Sequence, residues 1–199
     1  MQMAEGAVKT AYSSRSFPGE AVNGDAVSIQ WHEGMCRIAL IDALGHGPSA
    51  FETACRAVEV LTERPDLGPI DAINLCHAAL HGTRGAAMSI AHIDSAQTRL
   101  TFVGIGNVDA RLHVGGREYR PVPYRGIVGY TMRTVRSEIY ELPDDWHLAM
   151  FTDGITGSWD FSRVTEHAGL QRFVDEVLIE FSRDSDDATI VVAKPRRAA

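Results

Sequence analysis

Met35-Cys36-Arg37-Ile38-Ala39-Leu40-Ile41-Asp42-Ala43-Leu44-Gly45-His46-Gly47-Pro48 is the stretch on which the fold turns. An apolar run of strand character stops at an acid, two glycines follow within five residues, and a proline then stands where a first helical residue tolerates one. Upstream, Ala26 to His32 is a second strand-like run, separated from Met35 by Glu33-Gly34. A connection that short closes an antiparallel hairpin. Downstream of Pro48, Phe51, Cys55, Val58 and Leu61 recur at helical spacing, which predicts a helix of about four turns with these residues on its stripe.

Pro65, Gly68 and Pro69 break that helix. Ile70 to His81 follows as a second amphipathic helix, with Ile73, Leu75, Cys76, Ala79 and Leu80 toward the core and Gly82 ending it. Short β-like runs then succeed one another: Ala87 to Ile93, Arg99 to Val103, Val108 to Val114, Arg117 to Pro121, Thr134 to Tyr140 and Trp146 to Thr152. A last helix near Leu170 to Phe181 carries Leu170, Phe173, Val174, Val177, Leu178 and Phe181 on one stripe, and Ala188 to Ala193 is a closing strand. Strands, a helix pair, a block of strands, then helix and strand is an α+β order. It predicts two packed antiparallel sheets with helices outside.

The chain has 199 residues, 45% apolar and 23% charged, so one domain over residues 1–194 with a frayed tail at 195–199 is expected. Its net charge of −7 and pI near 5.6 lack the broad positive field that tracks a nucleic-acid backbone. Cys36, Cys55 and Cys76 are an odd, scattered set without a Cys-x-x-Cys pair, which argues against both a disulfide framework and a thiolate zinc site. With no basic-then-apolar leader and no long apolar run, a cytoplasmic monomer with no membrane span is expected.

Acids cluster by position in the pattern. Asp42 ends one apolar run, Asp153 ends another, and Asp186-Asp187 directly precede the last strand. If that strand runs antiparallel to the one ending at Asp153, the two acids meet at a sheet edge, and Asp42 joins from the facing sheet. Converging carboxylates repel unless a hard cation such as Mg²⁺ or Mn²⁺ neutralises them. The alternative stays open at this point: aspartate is common where strands end because it favours turns. The glycines after Asp42 let the backbone present carbonyls or amides to a bound ion, and Asn23-Gly24-Asp25 sets one more acid beside a turn.

Taken in order, Gly24-Asp25, Asp42-x-x-Gly45-His46-Gly47, Gly104-x-Gly106-Asn107, Gly126-Ile127-Val128-Gly129, Thr152-Asp153-Gly154-Ile155 and Asp186-Asp187-Ala188-Thr189 resemble the metal-dependent PPM (phosphatase 2C) superfamily. The resemblance is to its SpoIIE-like branch, and within that to the RsbX-like feedback phosphatases of the bacterial stressosome. It implies a PPM-type αββα sandwich and two Mn²⁺ or Mg²⁺ ions. Asp42 would bridge both ions, the Ala43 carbonyl would join them, Asp153 and Asp186 would complete one shell, and Asp25 would reach the pair directly or through water. Asp42, Asp153 and Asp186 are thus the implied catalytic residues, with Asp187 beside them as a supporting turn residue.

The implied activity is hydrolysis of phosphoserine and phosphothreonine in STAS-domain stressosome proteins (RsbS- or RsbR-like) by metal-activated water. Three departures stand out: Ala43 replaces a glycine common in the wider family, of little consequence for a main-chain ligand; Asn107 occupies the place of an aspartate that holds a third ion in many relatives; and the phosphate-gripping arginine has no clear counterpart, Arg15 being a weak candidate. His46 either lends a proton near the leaving group or shapes its loop. A silent phosphoprotein-binding module and a small-molecule phosphohydrolase are the alternatives to a protein phosphatase. His77 and His81 read as ordinary helix residues, since the segment between them lacks a zincin glutamate. Trp31, Trp146 and Trp159 read as core or loop anchors, and Asp109 and Arg111 as solvent-face charges.

Overall fold

Glu33 and Gly34 have φ of 48° and 82°, the pair of positive values a two-residue hairpin turn requires. They join β2 (Asp25–His32) to β3 (Met35–Ala43) in antiparallel register, His32 opposite Met35 and Asp25 opposite Asp42. The computed structural model describes residues 7–96, 98–157, 159–160 and 169–196.

From β3 the sheet grows through β4 (Ala86–Asp94), β5 (Arg99–Ile105) and β10 (Glu138–Glu141), giving the order β10-β5-β4-β3-β2. A second sheet, β1-β12-β11-β6-β7, combines β1 (Val8–Arg15), β6 (Asp109–Val114), β7 (Arg117–Tyr119), β11 (Trp146–Phe151) and β12 (Ala188–Pro195). A small hairpin, β8 (Gly126–Ile127) with β9 (Thr131–Met132), lies on the long excursion from β7 to β10. Every named pairing is antiparallel, as the strand spacing predicted.

Period two along β3 sorts its side chains. Ile38 and Leu40 enter the core between the sheets with Phe102, Leu112, Leu148, Met150 and Val191. Ala39, Ile41 and Ala43 face the other way, onto α1 (Pro48–Glu63) and α2 (Pro69–Ala79). Both faces are therefore apolar, which explains the unbroken run Ile38 to Ile41. The third helix, α3 (Leu170–Phe181), buries Leu170, Phe173, Val174 and Val177 against the outer face of the second sheet with Trp159 and Ile190. The result is a four-layer αββα sandwich.

The structure corrects several expectations. The buried stripe of α1 is Ala50, Thr53, Ala54, Ala57 and Leu61, whereas Phe51 is 41% exposed. Small residues let the helix axis approach β2 and β3 closely, and a phenylalanine on that face would hold it away. Strand β1 carried no strong signal because VKTAYSSR is largely polar; it is an edge strand that buries only Val8 on one face and Ala11 on the other. The last strand continues past Ala193 to Pro195, with Lys194 opposite Lys9, so the chain is paired where fraying was expected, while residues 197–199 lie outside the described residues. Arg111 is 9% exposed, not a solvent-face charge: it donates to the Trp159 carbonyl, pairs with Glu118 and lies 4.6 Å from the Trp159 ring centroid.

The shifted stripe is testable. Ala57→Leu should overpack the seam between α1 and the sheet and cost about 1–3 kcal/mol, whereas Phe51→Ser should change stability by less than about 0.5 kcal/mol. Chemical denaturation of the two variants checks this, and the reverse ranking would restore the Phe51 stripe.

Candidate metal centre

Among the described residues, eight strands end or begin at one mouth of the sandwich: the starts of β2, β4, β6 and β12 and the ends of β1, β3, β5 and β11. Asp25 shares its face of β2 with Val27, Ile29 and Trp31, and Asp42 shares its face of β3 with Ile38 and Leu40; all of these hydrophobics contact the inter-sheet core. Register and alternation therefore put the two carboxylates opposite each other, on the inner face, at the point where the core opens. Like charges paired across strands are unfavourable.

Burial pushes the Asp42 carboxyl well above the usual carboxylate range, and the charges that act on it are Asp25, Asp153, Asp186 and Asp187, all of which push it further. Burial likewise raises Asp25, opposed in part by hydroxyl hydrogen bonds from Thr152 and Thr189. Asp186 is raised first by burial and then by Asp153 and Asp187. The mouth thus holds an excess of negative charge with all-oxygen donors, the chemistry that suits a hard divalent cation. Among the described residues, no three Asp, Glu, His or Cys side chains yet close tightly on one point. Asp25, Asp42, Asp153 and Asp186 share a mouth rather than a finished cage.

Asp25, Asp153 and Asp186 are each oriented by a neighbour. Thr152 Oγ1 donates to Asp25 Oδ2 at 2.8 Å and accepts from the Thr189 amide at 3.0 Å, which ties β2 of one sheet to β11 and β12 of the other. The Asp25 amide donates to Asn23 Oδ1, the Asn23 amide group donates to the Ser14 hydroxyl, and that hydroxyl lies 2.6 Å from Thr189 Oγ1. Asn107 Nδ2 donates to Asp153 Oδ2 at 2.6 Å. Asp186 Oδ1 accepts from the Asp187 amide. Ala43 is fixed through its own amide, which donates to the Gly24 carbonyl, while the next amide, Leu44, donates to Gly85.

Asp187 plays a different part. It is 3% exposed, and its two oxygens accept from the backbone amides of Phe17 at 2.7 Å and Gly24 at 3.0 Å. A Cβ on Gly24 would meet Asp187 Oδ2 at 2.8 Å, and a Cβ on Gly154 would strike the Asp187 carbonyl. Glycine at these two positions lets three segments close around one carboxylate. His46 Nδ1 lies 3.0 Å from Glu20 Oε1, with the ring stacked on Phe17. His77 accepts from the Gly129 amide, an ordinary helix residue as expected. Arg15 donates to the Arg183 carbonyl and pairs with Asp184, so it is already occupied.

A match to the family described as "Stage II sporulation protein E (SpoIIE)" runs over residues 32–196. The chain belongs to the SpoIIE family. It is 22% identical over 189 residues to phosphoserine phosphatase RsbX of Bacillus subtilis (strain 168), with 94% of each chain covered. A solved structure of RsbX in complex with magnesium superposes with TM-score 0.85 at 20% identity, over 95% of this chain and 96% of that one. A chain from a structure presented as the bacterial stressosome, a modular system adapted to control secondary messenger signalling, superposes with TM-score 0.88 at 24% identity, over 94% and 99%. The sandwich expected from the sequence is thus the fold of solved members of this phosphatase group. The Asn107 contact gives the family's variant position a local role: an amide that holds Asp153.

Two outcomes follow from the electrostatics. For Asp25 and Asp42 the folded state raises the pKa, so it binds more protons than the unfolded chain between about pH 4 and neutrality, and metal-free stability falls as pH rises through that window. Thermal melts of chelator-treated protein should show this decline, and Asp42→Asn should melt higher than the parent at pH 7. Asp187→Ala leaves two buried amides unpaired and should cost about 2 kcal/mol or more. A loss below about 0.5 kcal/mol in denaturation would show that the clamp contributes nothing.

Proposed function

We propose that this chain is a metal-dependent serine/threonine phosphoprotein phosphatase that holds two Mn²⁺ or Mg²⁺ ions and acts on phosphorylated STAS-domain proteins of a stressosome. The observation that carries the proposal is the inward-facing pair Asp25 and Asp42, whose charged surroundings are carboxylates. Such a pair is costly for folding and becomes useful when a divalent ion sits between the strand ends. RsbX, a phosphoserine phosphatase crystallised with magnesium, and the stressosome chain support the metal and the partner class.

Asp42 would hold both ions, helped by the Ala43 carbonyl, with Asp153 and Asp186 on one ion and Asp25 oriented by Thr152. When bound, the ions would supply the Lewis acidity that activates water for in-line attack and offsets charge on the phosphoryl oxygens. The chain's own contribution is orientation. The Thr152 hydroxyl fixes the Asp25 carboxylate, and the Asn107 amide donates to one oxygen of Asp153, leaving the other to a ligand. Direct attack by water requires no protein nucleophile.

The test is hydrolysis of a phosphorylated STAS-domain protein, free phosphoserine and nucleotides, with and without Mn²⁺. Metal-dependent turnover of the protein is expected to outrun the small molecules. Asp42→Asn should retain less than about a tenth of the rate, since losing the shared ligand removes several kcal/mol of transition-state stabilisation, yet stay folded. Faster turnover of nucleotides would replace the phosphoprotein assignment with a small-molecule phosphohydrolase. Millimolar Mn²⁺ should also raise the melting temperature by binding the native state.

A further inference from the structure

The segment from Arg117 to Arg136 carries five arginines (Arg117, Arg120, Arg125, Arg133 and Arg136) against one acid, Glu118, a net of +4. The rest of the chain therefore sums to −7 − 4 = −11. Chemistry at the mouth needs acids, and acids repel a phosphoryl dianion and any acidic protein that carries it. A basic segment beside that mouth changes what can approach.

Backbone pairing sets residues 124–132 of the segment there, while Arg117, opposite Val114, lies at the far end of the sheet. The Tyr124 amide donates to Gly104 and its carbonyl accepts from Gly106, next to Asn107 and its Asp153 contact. Val128 pairs with Ala86, which lies opposite Ala43. Arg125 stands between these anchors, and Arg133 directly follows Met132, the partner of Gly126. From the other side Arg84 reaches the Leu44 carbonyl at 3.4 Å, on the loop that follows Asp42.

The arginines divide into two groups. Arg111 and Arg120 share Glu118, and elsewhere Arg64 pairs with Asp66 and Arg172 with Glu176. Arg117, Arg125, Arg133 and Arg136 are exposed, and their side chains make no ion pair or hydrogen bond to a described residue. Interleaved with them are Val122, Tyr124 and Tyr130, the last 74% exposed. Arginine and tyrosine beside exposed aliphatics is the composition of protein-binding surfaces.

We propose that Arg84, Arg125, Arg133 and Arg136 form a basic rim that docks an acidic surface surrounding the phosphorylated residue of a protein substrate. Charge complementarity commits the rim to that occupant: the chain's own acids leave these arginines unpaired, and the partner supplies the missing carboxylates. The rim adds selectivity and encounter rate while the carboxylate mouth does the chemistry. The proposal rests on the phosphatase assignment above and names what that site selects.

The test uses the full chain with Mn²⁺ and phosphoserine peptides that differ only in flanks of glutamate, alanine or lysine, with p-nitrophenyl phosphate as a substrate that cannot reach the rim. Wild-type kcat/KM should favour glutamate over lysine flanks by about tenfold or more. That spread should shrink between about 50 and 200 mM salt, as exposed charge interactions are screened. Arg125→Gln/Arg133→Gln/Arg136→Gln should lose the spread through KM while keeping its melting temperature and p-nitrophenyl phosphate turnover. Equal wild-type rates on the three peptides, a spread that survives in the triple variant, or parallel loss on p-nitrophenyl phosphate overturns the rim. If no substrate is hydrolysed, the phosphatase assignment fails, and anisotropy of a labelled glutamate-flanked phosphopeptide judges the rim alone: weaker binding by the triple variant supports it, and equal binding overturns it. Equal displacement of that peptide by oligouridine also overturns it in favour of a nucleic-acid surface.

Discussion

Asp187 is the carboxylate on which the acidic mouth depends. Both of its oxygens are taken by backbone amides, one from Phe17 after β1 and one from Gly24 before β2, and its own carbonyl packs against Gly154 after β11. One buried anion therefore fixes the relative heights of three segments from the two sheets. Hydrogen bonds from amides to a carboxylate are stronger than neutral ones, so Asp187 holds these segments firmly. Its neighbours gain a fixed stage: Asp186 precedes it, Asp25 follows Gly24, and Asp153 precedes Gly154. Without such an anchor, the burial and the repulsion that raise Asp25 and Asp42 would be relieved by letting the strand ends splay.

The energetic conflict at the mouth explains why the polar network crosses from sheet to sheet there. Thr152 and Thr189 are fully buried hydroxyl residues at strand positions that would otherwise suit valine. Their hydroxyls carry a chain of bonds from Asn23 through Ser14 to Asp25. A buried network is stabilising when every member is satisfied, and this one spends its satisfaction on holding a carboxylate that the apolar core alone would expel. Stability is given up at Asp25 and Asp42 and recovered in the surrounding bonds, a common arrangement at functional sites.

Much of this was legible in the sequence because it depends on local rules. Period two, a two-residue turn and Pro48 located β2, β3 and α1, and acids at the ends of apolar runs marked the mouth. What failed depends on partners far away in the chain. Arg111 looked like a solvent-face charge because strand alternation says nothing about Trp159 and Glu118 closing over it. Phe51 matched the helical period as well as Ala54 did, and only the closeness of the sheet favours the small residue. The adjacent pair Asp186-Asp187 showed two acids at a turn, but the division between a clamp and a free carboxylate is made by the amides of residues 17 and 24. The arginines after Arg117 follow neither a strand nor a helix period, and only the pairing of Tyr124 and Val128 with the strand ends sets Arg125 beside the mouth.

Asn107 shows how these constraints combine. A carboxylate at this position would face Asp153 at hydrogen-bonding distance and add another charge to a mouth already under repulsion. The amide instead donates at 2.6 Å, removes one negative charge and pins one oxygen of Asp153. The same exchange leaves the mouth with less charge for a cation to neutralise. A less negative mouth also lowers the barrier to an approaching phosphate, and Arg125 lies one residue from the backbone bonds that fix Gly106 beside Asn107. Reduced anionic charge within and unpaired cationic charge at the edge act in the same direction, favouring the approach of a negatively charged protein surface to a site built from acids.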